Sequence, residues 1–294
     1  MEFDDVRAFV RVADTASVSQ AARDLNVTQS AVTRRLQRLE TSLGTTLLER
    51  RTRPVTLTGA GQAALERCRR LLNDAREVRA AAANGELPTG ELRIGVAHAL
   101  TELTLTEPVG QVRRKFPKIA LRLRTGWSRE LLERVRTGAL DAAIILLSEG
   151  ERLPVEVVGS QIGKERLVVV ASRQEYRSPV LKIQDLAGVQ WVLNPEGCAA
   201  RTALRRVLLR ANIDMVVAVE AYNYELQLAL VAQKRGLSLV PERILSRSQL
   251  RSRLRPLRVP GLDFPMTIWT VHGEPNTGFD VVIAELSRVL IERL

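Results

Sequence analysis

The sequence predicts a mainly α winged helix-turn-helix at the N-terminus, then one long linker helix, then an α/β body. Three observations carry this. Residues 17–58 read as two short helices across a tight turn, followed by a basic hairpin. Residues 58–84 contain no Pro and repeat apolar residues at three- and four-residue intervals. From residue 90 onward, short apolar strands alternate with helical segments. The division follows: 1–58 the head, 59–84 the linker helix, 85–90 a hinge, 91–294 the body.

The first helix of the head starts after Ser17, whose hydroxyl can cap free backbone N–H groups. Ala21, Ala22 and Leu25 give it a buried stripe of small residues, which lets two helices cross closely. Asn26 tolerates the left-handed backbone that a sharp turn needs, and Val27 plugs the corner. Thr28 caps a second helix over residues 29 to about 40. On that helix Val32, Leu36 and Leu39 share one arc. Gln29, Ser30, Thr33, Arg34 and Gln37 lie opposite, with donors, acceptors and a guanidinium but no carboxylate. Arg pairs bidentately with guanine and Gln with adenine, and the first turns of a recognition helix reach the base edges. Gln29, Thr33 and Arg34 are therefore the candidate base contacts, with Ser30 on phosphate and Gln37 on the same face. An ordinary amphipathic surface helix is the plain alternative.

The next segment favours DNA. Leu47–Arg51 and Val55–Thr58 read as two short strands joined at Thr52-Arg53-Pro54. Arg50, Arg51 and Arg53 sit at this wing, where a cation meets a phosphate or the minor groove.

At this point the chain resembles a family. Ala21-Ala22, Gln29-Ser30-Ala31-Val32-Thr33-Arg34, Leu39-Glu40, Leu43-Gly44, Leu47-Leu48-x-Arg50 and Leu57-Thr58-x-x-Gly61 match the winged helix-turn-helix of LysR-type transcriptional regulators. The resemblance implies base contacts from Gln29, Thr33 and Arg34, in agreement with the reading of the helix face.

Charge adds less than its total suggests. The net +11 and pI near 10.6 fit a polyanionic partner. Residues 1–90 hold 14 Arg, no Lys and 11 carboxylates, a net +3, which leaves +8 for the body. The case for the head rests on placement, since Arg34, Arg35, Arg38, Arg50, Arg51 and Arg53 all lie on the predicted contact elements.

Along the linker, Ala64, Leu65, Cys68, Leu71, Leu72, Ala75, Val78 and Ala82 form a narrow stripe that needs a partner. A second copy of the same helix is the natural one, and a twofold reader fits paired half-sites. Packing against the chain's own body is the alternative. The resemblance implies the same dimerising helix, a tetramer beyond it, and contact with RNA polymerase. Asn84-Gly85-Glu86-Leu87-Pro88-Thr89-Gly90 ends the helix as a hinge.

No basic run followed by an apolar stretch opens the chain, and no segment approaches a bilayer span. A cytoplasmic, soluble protein with no membrane partner is expected. Cys68 and Cys198 make no disulfide framework. The scattered His and Cys make no metal cluster, and no acid pair or nucleophile–base constellation points to catalysis. No GxGxxG or GxxxxGK[ST] follows a strand. No catalytic residue, metal or cofactor is assigned.

In the body, strands are expected at Gly90–Val96, Ala120–Thr125, Asp141–Leu146, Leu167–Ala171, Gln190–Leu193, Met215–Ala221, Leu237–Val240 and Phe264–Val271. A helix runs from the first strand to about Phe116. Others lie at 128–137, near 199–211, near 223–235 and at the C-terminus. The alternation predicts parallel sheets covered by helices. The resemblance implies a two-lobed effector domain like the periplasmic solute-binding proteins, with lobe I at about 91–162 and 265–294 and lobe II at about 163–264. A small molecule then binds between the lobes, at the carboxyl ends of strands. The candidates there are Ala97, His98, Leu100, Thr101, Trp127, Ser128, Asn194, Glu196, Cys198, Asn223 and Tyr224.

Many family members carry Ser or Thr hydroxyls at the first junction. Ala97-His98-Ala99-Leu100 departs from that and, with Trp127 and Tyr224, points to a more apolar or aromatic site. Cys198 stands where peroxide-sensing relatives carry a reactive thiol. Val207-Leu208-Leu209 occupies the second cysteine's place, so an intramolecular disulfide switch is not expected, and a lone sulfenic-acid sensor stays open. Arg243, Arg247, Arg251, Arg253, Arg255 and Arg258 form a basic cluster, read as a solvated surface or as contact with DNA, an acidic partner or a neighbouring subunit. The sequence thus predicts a DNA-binding regulator modulated by a small effector. The alternatives are a constitutive DNA binder and a redox-responsive regulator acting through Cys198.

Overall fold

The computed structural model describes residues 1–49, 54–82, 88–105, 107–176, 178–273 and 279–294. The head opens with α1 (Phe3–Thr15), for which the sequence reading provides no element, then α2 (Val18–Asp24) and α3 (Gln29–Leu43). Helix α1 exists because Val6, Ala8, Phe9, Val10 and Val12 give it a buried face. Asp5 accepts from the Glu2 N–H at 3.3 Å to close its first turn, and Ala16 ends it at φ 51°. The Ser17 hydroxyl accepts from the Gln20 N–H and the Thr28 hydroxyl from the Ala31 N–H, each at 3.2 Å. Asn26 makes the turn at φ 52°. Val32, Leu36 and Leu39 of α3 meet Phe9 and Ala21 in one core, where each large apolar side chain contributes about 1.5–3 kcal/mol.

The wing begins with β1 (Leu48–Glu49) and β2 (Thr56–Leu57), which pair antiparallel within the expected strands. Glu40 ties the recognition helix to the wing by accepting from the Leu47 and Leu48 N–H groups at 2.9 and 3.4 Å. Helix α4 (Gly59–Ala82) follows. Its third residue, Gly61, lies so close to the wing that a Cβ would stand 2.0 Å from the Leu47 carbonyl oxygen. Leu65 and Cys68 are buried in the head's own core, with Ala64, Leu71 and Leu72 packed against it. The first half of the linker stripe is thus satisfied within the chain, while Val78 further along stays exposed.

The body continues as β3 (Gly90–Ala97), a 3-10 turn His98–Leu100, α5 (Thr101–Leu105), α6 (Glu107–Lys115), β4 (Ile119–Gly126), α7 (Ser128–Arg136) and β5 (Ala142–Ser148). Then come β6 (Val157–Ser172), β7 (Gln190–Leu193), α8 (Ala199–Arg210), β8 (Val216–Glu220) and α9 (Tyr224–Ala232). The chain closes with β9 (Ser238–Pro241), α10 (Glu242–Arg247), β10 (Leu254–Leu257), β11 (Pro265–Gly273) and α11 (Asp280–Ile291).

The sheets are mixed, which corrects the expectation of parallel ones. Strand β3 runs parallel to β4 and β5, and β7 parallel to β8. Strand β11 is antiparallel to both β5 and β6. The first half of β6 pairs with β11, and its second half pairs antiparallel with β9 and β10. One strand therefore runs through both lobes. The expectation covered only its apolar end, because Gly159, Gly163, Lys164 and Glu165 break the apolar pattern. Those glycines mark close packing: a Cβ on Gly159 would lie 2.7 Å from the Thr270 carbonyl oxygen.

Lobe I is braced by Asp141, fully buried, which accepts from the Arg93 backbone N–H at 2.7 Å and from its guanidinium at 2.7 and 3.0 Å. The carboxyl ends of the two parallel pairs, β3–β4 and β7–β8, supply the loops between the lobes. Among the described residues, no helix is long and apolar enough to cross a membrane.

Candidate nucleic-acid interface and interlobe cleft

On α3 the apolar stripe turns inward, so Gln29, Ser30, Arg34 and Gln37 stand exposed with Thr33 half-buried beside them. Thr33 spends its hydroxyl proton on the Gln29 carbonyl at 2.9 Å, and Ser30 shares a 2.9 Å hydrogen bond with Thr28. Gln29, Arg34 and Gln37 make no side-chain hydrogen bond or ion pair among the described residues. The N-terminal turn of α3 borders an open hollow of ≈ 590 Å³, lined also by Ser19, Arg23 and Asn26 of the preceding helix and turn. Arg50, Arg51 and Arg53 lie outside the described residues.

Two of the head's arginines are removed from the contact set. Arg35 reaches the Asp4 carboxylate at 2.9 Å, and Arg38 reaches Asp5 at 2.6 Å and Glu2 at 3.5 Å. Asp5 holds the Arg38 guanidinium in its charged form, with its pKa raised by that hydrogen bond. These two cations fasten α3 to α1, and the helix that supplies the carboxylates is the one the sequence reading lacked.

In the body, Ala97 ends β3 buried, and Leu100 is fully buried in the main core. Thr101 donates to the His98 carbonyl at 3.0 Å. Ser128, at the first turn of α7, accepts from the Leu146 N–H at 3.0 Å, which pins that helix to the end of β5. Asn194 and Cys198 lie inside lobe II, where the Asn194 amide points to the Cys198 sulfur at 3.6 Å and its oxygen accepts from Gln227. Gln227 in turn donates to the Ala221 carbonyl at 2.7 Å and accepts from Ser238 at 2.9 Å. Glu196 is exposed and pairs with Arg201 at 3.0 Å and with Arg205. Asn223 caps α9 by accepting from the Leu226 N–H at 3.0 Å.

Tyr224 is buried, and its hydroxyl pKa is pushed up by desolvation. Its neighbour on the loop takes the place expected of it. Tyr222 is 63% exposed and stacks on Trp127, with centroids 6.0 Å apart at 21°. His98 meets the same indole edge-on at 4.6 Å and Tyr222 at 6.3 Å. Lobe I thus contributes His98 and Trp127, and lobe II contributes Tyr222, to one aromatic cluster. Burial pushes the His98 pKa down, against the opposing pull of Glu130. The signal for Tyr222 was available: Tyr224, Gln227, Leu228 and Val231 fall on one helical face, which commits Tyr224 to the core.

The lobes also meet at α10. Arg243, the first residue of the basic cluster, pairs with the buried Glu165 of β6 at 3.1 Å and donates to the Ala99 carbonyl at 3.2 Å. It therefore joins the lobes. Arg247, Arg251 and Arg258 are exposed. Between α7, the end of β5 and α8 a pocket of ≈ 20 Å³ remains, lined by Ser128, Arg129, Thr202 and Arg206. That is about the room of one water molecule. Cys68 and Cys198 are both unpaired and buried. Among the described residues no group of His, Cys, Asp and Glu could hold a metal ion.

Comparison with known proteins places both halves of the chain. The profile described as "Bacterial regulatory helix-turn-helix protein, lysR family" matches residues 3–62, and "LysR substrate binding domain" matches residues 85–276. The transcriptional regulator CzcR of Bacillus anthracis is 31% identical over 82% of this chain and 81% of its own. GltR of Bacillus subtilis is 29% identical over 85% of this chain and 83% of its own. A full-length OxyR variant from Pseudomonas aeruginosa shares the fold with a TM-score of 0.79 at 21% identity, over 99% of this chain and 94% of that one. With the helix-turn-helix and the substrate-binding domain both matched, the chain belongs to the LysR family and is a LysR-type DNA-binding transcriptional regulator.

Proposed function

We propose that this regulator reads its operator through Gln29, Thr33 and Arg34 of α3, with Ser30 and Gln37 beside them and Arg50, Arg51 and Arg53 on the backbone. One observation supports this above the others. Arg34 has no carboxylate partner among the described residues, whereas Arg35 and Arg38 on the same helix are neutralised by Asp4 and Asp5. A guanidinium held on a rigid helix and left uncompensated is suited to bidentate recognition of guanine.

In the same reading a small molecule binds between the lobes and changes their angle, which biases the position of the heads. The departure from hydroxyls at residues 97–100 and the cluster of His98, Trp127 and Tyr222 favour an effector with substantial apolar surface. Dimerisation through α4 beyond Leu72, where Val78 is exposed, assembly to a tetramer, contact with RNA polymerase and a cytoplasmic location belong to this proposal. The buried, hydrogen-bonded setting of Cys198 supports an effector in preference to thiol chemistry, because a reactive thiol needs access.

The test is operator affinity of the full-length protein, wild type against Arg34→Ala, by fluorescence anisotropy on DNA selected by the wild type. The proposal expects the variant to lose about 1–3 kcal/mol of specific binding. Unchanged affinity and specificity would remove Arg34 from the interface.

A further inference from the structure

The Trp127 side chain belongs to lobe I but rests on lobe II. Tyr222 stacks on it, His98 closes its edge, and Gly197, at the turn before α8, lies against its pyrrole ring. Gly197 has two reasons to be glycine. Its φ is +92°, and a Cβ would stand 3.2 Å from the Trp127 Cδ1. The seat therefore consists of two ring systems and one bare Cα. The Trp127 Nε1–H makes no hydrogen bond among the described residues, so the indole is held by its faces and edges alone. Burial at this seat pushes the His98 pKa down, with the Glu130 carboxylate opposing the shift. Tyr222, a large aromatic left mostly to solvent, gains little from packing beyond this stack.

We infer that Gly197 and Tyr222 of lobe II form a binding seat for a planar, uncharged aromatic ring, occupied in this conformation by the chain's own Trp127, which the effector displaces as the lobes part. This rests on the proposed interlobe effector site and names the chemical class it takes. A ring ligand offers the seat what Trp127 offers it: a flat apolar face for Tyr222 and an edge for His98. An aliphatic dicarboxylate offers neither and would place charge against an apolar wall.

Chemical rescue tests this without knowledge of the natural effector. Full-length Trp127→Ala removes the occupant, and indole is the probe, read by thermal shift and titration calorimetry. Cavities lined by apolar groups take up matching rings in this way. Trp127→Ala is expected to melt below wild type and to bind indole, with the melting temperature rising toward the wild-type value. Trp127→Ala/Tyr222→Ala is expected to bind indole at least about tenfold more weakly. If Trp127→Ala does not fold alone, the same comparison is made on refolding yield with and without indole, since a ligand of the folded state drives refolding by mass action. No indole effect on Trp127→Ala, or an equal effect in the double variant, overturns the inference. Succinate on the wild type separates the two readings. Stabilisation by succinate with no indole rescue rejects the ring seat and keeps the interlobe effector site. Indole rescue in Trp127→Ala beside a wild type that neither indole nor succinate stabilises leaves the seat to Trp127 alone and overturns its displacement by a ring effector.

Discussion

Arg38 of the recognition helix lies 2.6 Å from the Asp5 carboxylate of α1, and this contact separates the head's arginines into two kinds. Arg38 and Arg35 hold α3 in place, while Arg34 on the outer face has no carboxylate partner among the described residues. Counting basic residues on a recognition helix would have treated all three alike. Asp5 is buried and faces a half-exposed guanidinium, so the pair fixes the angle of α3 on α1 more than it adds charge to the surface.

The first prediction follows from that division. Arg34→Ala weakens specific operator binding by about 5- to 150-fold, while binding to unrelated DNA changes far less. Arg38→Gln lowers the melting temperature, yet the folded protein keeps its operator affinity within about threefold. Anisotropy and thermal melts on the same preparations decide it; an Arg38→Gln protein that melts normally and loses operator binding would sink the division.

Asp141 in lobe I is buried and receives three hydrogen bonds from Arg93. Asp141→Ala leaves that guanidinium largely buried without its carboxylate, which costs about 3–5 kcal/mol. Urea unfolding of the full chain should show the body's transition moved to lower denaturant by a corresponding amount. A change under about 1 kcal/mol would mean that Arg93 finds another partner.

His98 gives a pH dependence with a definite sign. Its folded-state pKa is lowered by burial, so the unfolded chain binds the proton more readily. The stability that depends on neutral His98 is fully present above about pH 6.5 and is lost as pH falls through the lower folded value. Melting temperature should fall on acidification below that point, and His98→Gln should flatten this part of the curve. An identical slope in both proteins would show that other groups carry the acid sensitivity.

Gly61 is the tightest backbone approach in the head, with room for no side chain against the Leu47 carbonyl. Gly61→Ala forces α4 away from the wing and should destabilise the head by about 1–3 kcal/mol. Partial proteolysis should then cut the wing–α4 junction faster than in the wild type. Unchanged stability would mean that the wing moves freely relative to α4.

Much of the head was legible because capping and periodicity are local. Ser17, Thr28, Asn26 and the stripe Val32, Leu36 and Leu39 each act within a few residues, and each sits where its chemistry requires. The ion pairs of Arg35 and Arg38 are set by packing against α1, some thirty residues away in sequence, and no local pattern announces them. The body shows the same contrast. Short apolar strands such as Gln190–Leu193 stand out, whereas β6 carries glycines and charges where it crosses between the lobes. The cleft was located by strand ends, but which side chains face it depends on helix phase. Tyr224 and Tyr222 are two residues apart and point to core and cleft respectively. Gly197 and Glu165 gain their meaning only from Trp127 and Arg243 on the opposite lobe.

The most direct test of the central claim is selection from a random-sequence duplex pool, run in parallel with the full-length wild type and Arg34→Ala. The account predicts that the wild type enriches paired half-sites spaced about one helical turn or a multiple of it, and that Arg34→Ala loses the preference at one base-pair position in each half-site. Enrichment of the same motif with the same information content by both proteins would contradict it.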